Sequence, residues 1–398
     1  MRVLFTFAGG TGHFLPLAPI ARAAAARGHA VAFAGQAGMV RVVREEGFHA
    51  FDTGGPTLLQ ASARVALQPV DLENEERVVR DVYAGSVARE RASRVLELGG
   101  DWCPDVVVSD EMDFGALVAA ERLGVPWATV LCIATGALAR SSLVAPPLAA
   151  LRRAHGLPAD LGSDALHRYL VLSPFPPSLR DPAWPLPATA HGLGPSPVDE
   201  PPPAWASRLD RSSTVYLTLG TIFNLESGDL FERALQGLRQ LPVRVVVTVG
   251  RELDPGVLGR QPPNVRIERF VPQAHVLPRC ALVVSHAGSG SVVGALAHGL
   301  PMVLLPLGAD QPLTAARCRE LGVARVLDAS SASPEDVRAA AADVLATPTF
   351  RRSAEAIARE IEQLSGHGEA VTLLERLARD RTPLPGPWAP GAPSTHLH

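Results

Sequence analysis

Residues 270–311 read FVPQAHVLPRCALVVSHAGSGSVVGALAHGLPMVLLPLGADQ, and this stretch decides the fold. Two short apolar runs, Ala281–Ser285 and Met302–Leu305, enclose a helical segment at Ser291–His298, and a further helix is predicted at Gln311–Glu320. Continuous apolar runs separated by helices are typical of parallel strands that helices cover on both faces. The stretch therefore predicts a doubly wound α/β sheet, in which ligands bind in loops at the carboxyl ends of the strands.

The same alternation extends over the rest of the chain and restarts once. Strands are predicted in the first half at Arg2–Phe7, Ala30–Ala34, Asp105–Ser109 and Pro126–Cys132, with helices between them. The second half restarts the pattern with a strand at residues 214–219. Residues 174–205 interrupt it, because their many prolines favour neither a helix interior nor a central strand.

This pattern predicts two domains, and a length of 398 residues fits two better than one. We expect an N-terminal Rossmann-like domain at residues 1–194 and a C-terminal one at 213–365, joined by a linker at 195–212. A C-terminal helix at 366–381 could pack back on the first domain. Residues 382–398 are rich in proline and are expected to be disordered.

Composition and charge exclude several classes of protein. The net charge is −3 and the sequence has no basic stripe of the kind that neutralises the phosphates of a nucleic acid. All 37 residues counted as Lys or Arg are arginine. Neither the lysine of a Walker phosphate loop nor the Schiff-base lysine of a pyridoxal enzyme can therefore be present.

The cysteines and the apolar runs predict a cytoplasmic protein. The four cysteines form no CxxC pair, which argues against a structural zinc site and indicates a reducing compartment. The N-terminal apolar run is too short for a signal peptide. The longest uncharged stretch, Leu123–Ala139, contains Pro126 and is shorter than a membrane span, so no stable membrane insertion is expected.

The segment Ser285–Ser291, SHAGSGS, lies between a predicted strand and a predicted helix. Its glycines, Gly288 and Gly290, let a ligand approach the backbone. Ser289–Ser291 fall at the helix N-terminus, where free N–H groups and the helix dipole attract a diphosphate. His286 could donate a hydrogen bond to the same group. A tight turn with a serine N-cap is the alternative that this segment alone leaves open.

Two more loops of the ligand-binding type follow other strands of the same predicted sheet. Phe270 offers its ring to a base, and the backbone of Val271 can read that base, with Gln273 in the same loop. Asp310 and Gln311 come after the predicted strand Met302–Leu305 and can hydrogen-bond neighbouring sugar hydroxyls. Three such loops at one sheet edge indicate a single binding site for a composite ligand.

The loop after the first strand, with Gly10, Thr11, Gly12 and His13, carries the second locus. It lacks the third glycine of a dinucleotide fingerprint. A neutral histidine at a strand end is a suitable base for an alcohol near pH 7, and a turn or cap residue is the alternative.

A histidine base gains from a carboxylate that fixes its tautomer. Asp110 ends a predicted strand and is the preferred partner, Asp113 is the competitor, and an N-cap on the next helix is the structural alternative for Asp110. Thr221 lies on a glycine turn after the first strand of the second half, and a simple turn hydroxyl is one interpretation of it.

The run FVPQ…SHAGSGSVVGALAHGLPMVLLPLGADQ resembles the donor-site signature of glycosyltransferase family 1, including the spacing from His286 to Asp310 and Gln311. The resemblance covers nearly the whole chain, from GGTGHFLPL onward, and is closest to actinobacterial antibiotic glycosyltransferases. It implies the GT-B fold, with two Rossmann-like domains facing across a cleft. It also implies a nucleotide-sugar donor, a small-molecule aglycone acceptor and no other cofactor, and it leaves a homodimer open.

By this resemblance, each locus has an implied role. His13 is the general base and Asp110 its partner, with Gly10, Thr11 and Gly12 on the phosphate side of the first domain. The diphosphate contacts are His286, Gly288, Ser289, Gly290, Ser291 and Thr221; the base and ribose contacts are Phe270, Val271 and Gln273; the sugar contacts are Asp310 and Gln311.

Two positions depart from the plant members of the family. Those members carry Trp where this chain has Phe270, and a ribose-binding Glu where it has Gly294. A thymidine diphosphate sugar fits the bacterial relatives better than a uridine diphosphate sugar.

No DxD triplet and no His/Asp cluster with metal-ligand spacing occurs, so a metal-free inverting transfer is expected. Three alternatives stay open: a nucleotide-sugar 2-epimerase, a catalytically inactive partner homologue, and a lipid-linked cell-wall transferase. The apolar segments predicted as loops at 53–70 and 133–150 favour a transferase, because they could form an acceptor pocket.

Overall fold

The computed structural model describes residues 1–55, 65–160, 164–196, 200–220 and 224–389. These residues divide into two compact units. The first unit contains residues 1–55, 73–196 and 363–389, and the second contains 65–72 and 200–362, each without the undescribed positions. Within these described ranges, no helix is long and apolar enough to cross a membrane.

The first unit is built on one parallel sheet with the strand order β3-β2-β1-β4-β5-β6-β7. Strands β1–β7 are Arg2–Thr6, Ala30–Gly35, His49–Asp52, Val106–Asp110, Trp127–Val130, Leu170–Ser173 and Ala190–Gly192. Helices α1–α7 are Thr11–Phe14, Ala18–Ala26, Ala37–Glu45, Leu72–Arg77, Ala88–Trp102, Phe114–Leu123 and Ser141–Ala154, with π-helical turns at Val78–Val87 between α4 and α5. The central strands β1 and β4 are buried almost throughout, as expected for a parallel sheet covered on both faces.

The second unit repeats this plan with the strand order β10-β9-β8-β11-β12-β13. Strands β8–β13 are Thr214–Thr218, Arg244–Thr248, Val265–Glu268, Leu282–Ser285, Met302–Leu304 and Ala324–Val326. Helices α8–α13 are Leu230–Leu238, Gln273–Val276, Ser289–Ala297, Gln311–Glu320, Pro334–Ala346 and Pro348–Glu362. Short 3₁₀ turns in the two units are Ala137–Ala139, Asp164–His167, Pro177–Leu179, Ala206–Arg208, Pro255–Leu258 and Leu277–Arg279.

Both sheets reverse their strand order at one point, and this point positions the candidate sites. In the first unit the reversal lies between β1 and β4, and in the second it lies between β8 and β11. The loops after two such strands diverge to opposite faces of the sheet and leave a crevice at the carboxyl ends. The histidine loop follows β1 and the SHAGSGS loop follows β11, so both predicted loci lie at these crevices.

The C-terminal helix α14, His367–Asp380, completes the hydrophobic core of the first unit. Its residues Ala370, Leu374 and Leu377 are fully buried in that core. The segment that follows differs from the expected disorder. Residues 382–389 pack on the same unit, because Leu384 is buried and its N–H donates to the carbonyl of Tyr169 at 2.8 Å. The remaining residues of the predicted tail, 390–398, lie outside the described residues.

Two segments predicted as acceptor loops of the first domain differ in the structure. Within 133–150, residues from Ser141 onward form α7, although Pro146 and Pro147 lie inside it. The apolar face that α7 buries, including Val144 and Leu148, stabilises the helix despite the lost backbone hydrogen bonds.

The other segment, predicted at 53–70, is described only to residue 55 and from residue 65. Residues 65–72 belong to the second unit rather than the first. The reason is a backbone pairing, since the N–H of Val65 donates to Leu225 at 2.8 Å and its carbonyl accepts from Gly228 at 3.1 Å. Leu67 packs against the core of the second unit.

Candidate active site

His13 and Asp110 meet at the strand-order reversal of the first unit. His13 lies in the one-turn helix α1 after β1, and Asp110 is the last residue of β4. The Nδ1 atom of His13 lies 2.5 Å from Oδ2 of Asp110, and Oδ1 of Asp110 accepts from the N–H of Ala8 at 3.2 Å. The structure thus brings together two residues that are 97 positions apart in the sequence.

The backbone before His13 explains why a glycine precedes it in the loop. Gly9 has φ of +137°, and a Cβ on Gly9 would lie 2.4 Å from Cδ2 of the His13 ring. Only glycine accepts both the backbone angle and the approach of the ring. Gly10 is the N-cap of α1 without a side-chain cap, and Thr11 and Gly12 form its first turn.

The Asp110 carboxyl is fully buried, and burial raises its pKa, while the imidazole of His13 and the N–H of Ala8 act in the opposite direction. A carboxylate at 2.5 Å from Nδ1 makes that nitrogen the donor. The other ring nitrogen, Nε2, is then the one that can accept a proton.

Asp113, the competing partner for His13, has a different role in the structure. Its carboxylate forms a buried ion pair with the guanidinium of Arg91, whose Nε donates to both carboxylate oxygens at 3.1 Å. It also caps α6 by accepting from the N–H of Ala116 at 3.3 Å. The helix-capping role considered for Asp110 therefore belongs to Asp113.

Sequence reasoning missed two side chains beside the His13–Asp110 pair. The sulfur of Cys132, just after β5, lies 3.7 Å from both Nδ1 of His13 and Oδ2 of Asp110. The buried carboxylate of Glu111 accepts from the N–H groups of Cys132 at 3.1 Å and Ile133 at 3.0 Å, and so fixes this turn. Burial raises the pKa of Glu111, and the charge of Arg180 opposes that rise.

His13, Asp110 and Cys132 together form a group of potential metal ligands within the described residues. The sequence has no His/Asp cluster with metal-ligand spacing, and only the fold brings these three residues together. The three residues lie at or just after the ends of three different strands, so no short spacing in the sequence reveals them.

In the second unit, the SHAGSGS loop places a buried imidazole at the start of α10. The Nε2 atom of His286 lies between Gly220 and Gly288, where a Cβ on either glycine would come within 2.6 Å of it. Its Nδ1 is buried with no hydrogen-bond partner in the part of the chain that the structure describes. Burial lowers the pKa of His286 to about 4, so the ring is neutral near pH 7.

The N-terminus of α10 has the features of an anion site. Gly288 is the N-cap, and no side chain caps the helix. The serine that could have done so, Ser289, instead donates from its hydroxyl to Oδ2 of Asp310 at 2.6 Å. Because Gly288 has no side chain, the N-cap position does not supply an acceptor to the first turn of α10, where the positive end of the helix dipole lies.

The loop expected to hold the base combines an exposed ring with an arginine. Phe270 is 43% exposed, and the guanidinium carbon of Arg251 lies 3.9 Å from its ring centroid. Val271 is buried. Arg251, near the start of the segment between β9 and β10, is a further residue that the sequence did not point to, because its contact depends on the neighbouring strand.

The side chain of Gln273 lies beside Gly294, the position at which the plant members carry a glutamate. Its Nε2 donates to the hydroxyl of Ser291 at 3.2 Å. A Cβ on Gly294 would lie 3.4 Å from Oε1 of Gln273. The amide of Gln273 thus lies beside the position from which the plant-type carboxylate would extend.

The two residues expected to hold the sugar differ in burial and in hydrogen-bond partners. Asp310 lies beside the anion site, since its carboxylate accepts from Ser289 and, at 3.4 Å, from Thr314. Gln311 is only 2% exposed, and its Oε1 accepts from the N–H of Leu307 at 2.8 Å. The structure therefore uses this amide oxygen to hold the loop. Thr221 lies outside the described residues.

Comparisons with known proteins show the family and the fold of this chain. The family model "Erythromycin biosynthesis protein CIII-like, C-terminal domain" matches residues 232–377. The chain is 31% identical to 4'-demethylrebeccamycin synthase of Lentzea aerocolonigenes, over 94% of this chain and 99% of that protein. It is 29% identical to TDP-daunosamine transferase DnrS of Streptomyces peucetius, over 96% of this chain and 98% of that protein.

Among solved structures, the glycosyltransferase VinC in complex with dTDP is similar to this chain with a TM-score of 0.75 and 25% identity. The match covers 96% of this chain and 100% of VinC. Together with the two strand orders, this confirms the expected architecture of two parallel-sheet α/β domains of the GT-B type.

Proposed function

The chain is a glycosyltransferase of the family that includes the erythromycin CIII-like proteins and 4'-demethylrebeccamycin synthase, and on this basis we propose that it glycosylates a natural-product aglycone. The donor is a deoxysugar linked to dTDP, with a UDP-sugar as the second choice. The acceptor group is a hydroxyl. The reaction is a single displacement with inversion at the anomeric carbon, and it needs no metal ion.

The observation that carries this proposal is the 2.5 Å contact between His13 Nδ1 and Asp110 Oδ2. In the proposed step, Nε2 of His13 takes the proton of the acceptor hydroxyl as its oxygen attacks the sugar. The carboxylate of Asp110 stabilises the imidazolium that forms and keeps the ring in the required tautomer. Asp110 is thus a positioning residue that acts through His13.

The departing nucleoside diphosphate is the charge that the second unit must stabilise. We assign its phosphates to the N-terminus of α10, with His286 beside them. Here the backbone N–H groups and the helix dipole replace the cation that a metal-dependent transferase would use. The carboxylate of Asp310 is held by Ser289, which fits a contact to the sugar next to the phosphates.

The base of the donor is assigned to the loop with Phe270 and Val271. Phe270 presents an exposed ring for stacking, and Arg251 lies against its face. The preference for dTDP is supported by the relatives, since VinC was solved with dTDP and DnrS is a TDP-daunosamine transferase. The glycine at position 294 removes the carboxylate that supports a ribose contact in the plant members.

The test replaces His13 by alanine and measures three quantities on the same preparation. We expect the single-turnover rate to fall by about 10²–10⁴-fold, which is the usual contribution of a positioned base. Affinity for dTDP, measured by calorimetry, and the melting temperature should stay close to those of the wild type. A folded His13→Ala protein with a near-normal rate would remove His13 from the mechanism.

A further inference from the structure

We propose that His13, Asp110 and Cys132 form a binding site for a thiophilic divalent cation such as Zn²⁺, and that this cation switches the transferase off. The three ligand atoms are Nδ1, Oδ2 and Sγ, and they all lie within 4.8 Å of one another. Binding of the cation is independent of the proposed function. Its inhibitory effect rests on the proposed role of His13 as the base.

The positions of the three atoms are close to those of a tetrahedral zinc site. Usual Zn–S, Zn–N and Zn–O bond lengths place sulfur about 3.6 Å from the other two ligands, and nitrogen about 3.4 Å from oxygen. In the structure, the sulfur of Cys132 is 3.7 Å from both atoms. Only the distance between Nδ1 and Oδ2, now 2.5 Å, has to increase, by about 0.9 Å on the same bond lengths.

The ligand types select the kind of cation. A thiolate, an imidazole and a carboxylate suit zinc and its analogues cobalt and cadmium, whereas magnesium and calcium prefer oxygen ligands alone. Two anionic ligands and a neutral ring balance a divalent charge, so the buried carboxylate of Asp110 becomes neutralised. Three protein ligands leave a fourth position for water.

The protons can be followed through the binding step. The thiol of Cys132 releases its proton to solvent when its sulfur binds the cation. The proton on Nδ1 of His13 must also leave, and the ring takes up a proton on Nε2 instead, so the net release is one proton per cation. The cation thus occupies Nδ1 and converts Nε2 from an acceptor into a donor, which removes the base that the transfer requires.

The surroundings hold the third ligand in place and leave a way in. The backbone N–H of Cys132 is held by the buried carboxylate of Glu111, which fixes the backbone from which its sulfur extends. The side chain of His13 is 17% exposed, while that of Asp110 is fully buried. A cation can therefore approach from the His13 side and meet ligands whose backbones are already positioned.

The binding experiment uses the full-length protein without chelator or thiol reductant and titrates it with Co²⁺. We expect an absorption band from thiolate-to-cobalt charge transfer, and Zn²⁺ should displace it. The band should be absent in Cys132→Ser and retained in Cys103→Ser, a matched control because Cys103 is exposed. Cys132→Ala provides a second variant if the serine protein does not fold. A band of equal strength in folded Cys132→Ser or Cys132→Ala would overturn the site.

The activity experiment measures transfer with increasing Zn²⁺ and then with excess EDTA. We expect Zn²⁺ to inhibit the wild type and EDTA to restore its activity. In Cys132→Ser the half-inhibitory concentration of Zn²⁺ should rise by more than about 10–100-fold, the loss of metal affinity typical when a residue that only supports a ligand is changed. Equal inhibition of both proteins would overturn the switch. Absence of any transfer by the wild type would count against the proposed function, while the cobalt titration would still decide whether the site exists.

Discussion

Asp110→Asn tests how much the His13–Asp110 contact contributes to catalysis. The substitution keeps the shape of the side chain and removes its charge. When His13 takes the acceptor proton, an imidazolium develops beside the carboxylate, with charge centres about 4 Å apart. At the effective dielectric constant of proteins, the attraction between two unit charges at this distance is about 4 kcal/mol. If half of the charge has developed in the transition state, the loss is about 2 kcal/mol, or about 30-fold in rate.

A second effect adds to this loss. The side-chain amide that Asp110→Asn introduces can present an N–H to Nδ1, which favours the tautomer with the proton on Nε2 and so blocks the accepting nitrogen. We therefore expect a decrease of at least about 30-fold, but one smaller than that of His13→Ala. Because Asp110 acts through the ring of His13, the effects of the two substitutions should not add. The double variant that combines Asp110→Asn with His13→Ala should therefore be no slower than His13→Ala alone.

The assay is a rapid-quench single-turnover measurement with enzyme in excess over the nucleotide sugar and a saturating aglycone. Asp105→Asn is the matched control, because Asp105 is an exposed acid just before the same strand β4. It should leave the rate unchanged. The reasoning requires that a desolvated carboxylate in contact with the base affects the rate. A folded Asp110→Asn protein that turns over like the Asp105→Asn protein would therefore refute it.

The remaining predictions concern the second unit and the metal dependence. His286→Ala should weaken dTDP binding by roughly 1–3 kcal/mol, the range for a hydrogen bond to a charged group, and unchanged calorimetry would exclude this contact. Gly288→Ala should destabilise the unit by about 1–3 kcal/mol, because its Cβ would lie 2.4 Å from the His286 ring, whereas Gly290→Ala meets open space and should melt like the wild type. Because the pKa of His286 is lowered from 6.5 to about 4, its neutral form contributes stability above pH 6.5. As the pH falls toward 4, the free energy of unfolding should decrease by up to about 3 kcal/mol from this source. Urea unfolding of His286→Gln should not show this decrease. Transfer should persist in excess EDTA, and a loss that magnesium or manganese restores would contradict the metal-free mechanism.

The fold could be predicted from the sequence where apolar runs and helix signals agree. The helix predicted at Phe114–Leu123 has the same bounds in the structure, because Asp113 caps its start and Gly124 ends it in a left-handed conformation. The strand His49–Asp52 was missed, since its four residues mix polar and aromatic side chains without a clear period. Helix α7 was missed because its two adjacent prolines indicate a loop, and only the buried face that packs on the unit overrides them.

The candidate site also contains some residues that the sequence predicts and others that it does not. The pairing of His13 with Asp110 could be expected because each lies at or just after the end of a parallel strand, and the carboxyl ends of such strands share one edge of the sheet. The positions of Cys132 and Arg251 could not, because they depend on contacts across strands and no local motif marks them. The inward turn of Gln311 is equally invisible in the sequence, since it depends on the backbone of Leu307.

The placement of α14 in the core of the first unit has a consequence for how the chain folds during synthesis. Ala370, Leu374 and Leu377 fill a core that also contains side chains of β1, β2 and α2, which lie more than 300 residues earlier in the chain. The ribosome releases the whole second unit before it releases this helix, so the second unit can close first. The first unit has to wait with an uncovered apolar surface until this helix has been synthesised, and this interval is when chaperones would be expected to engage the nascent chain.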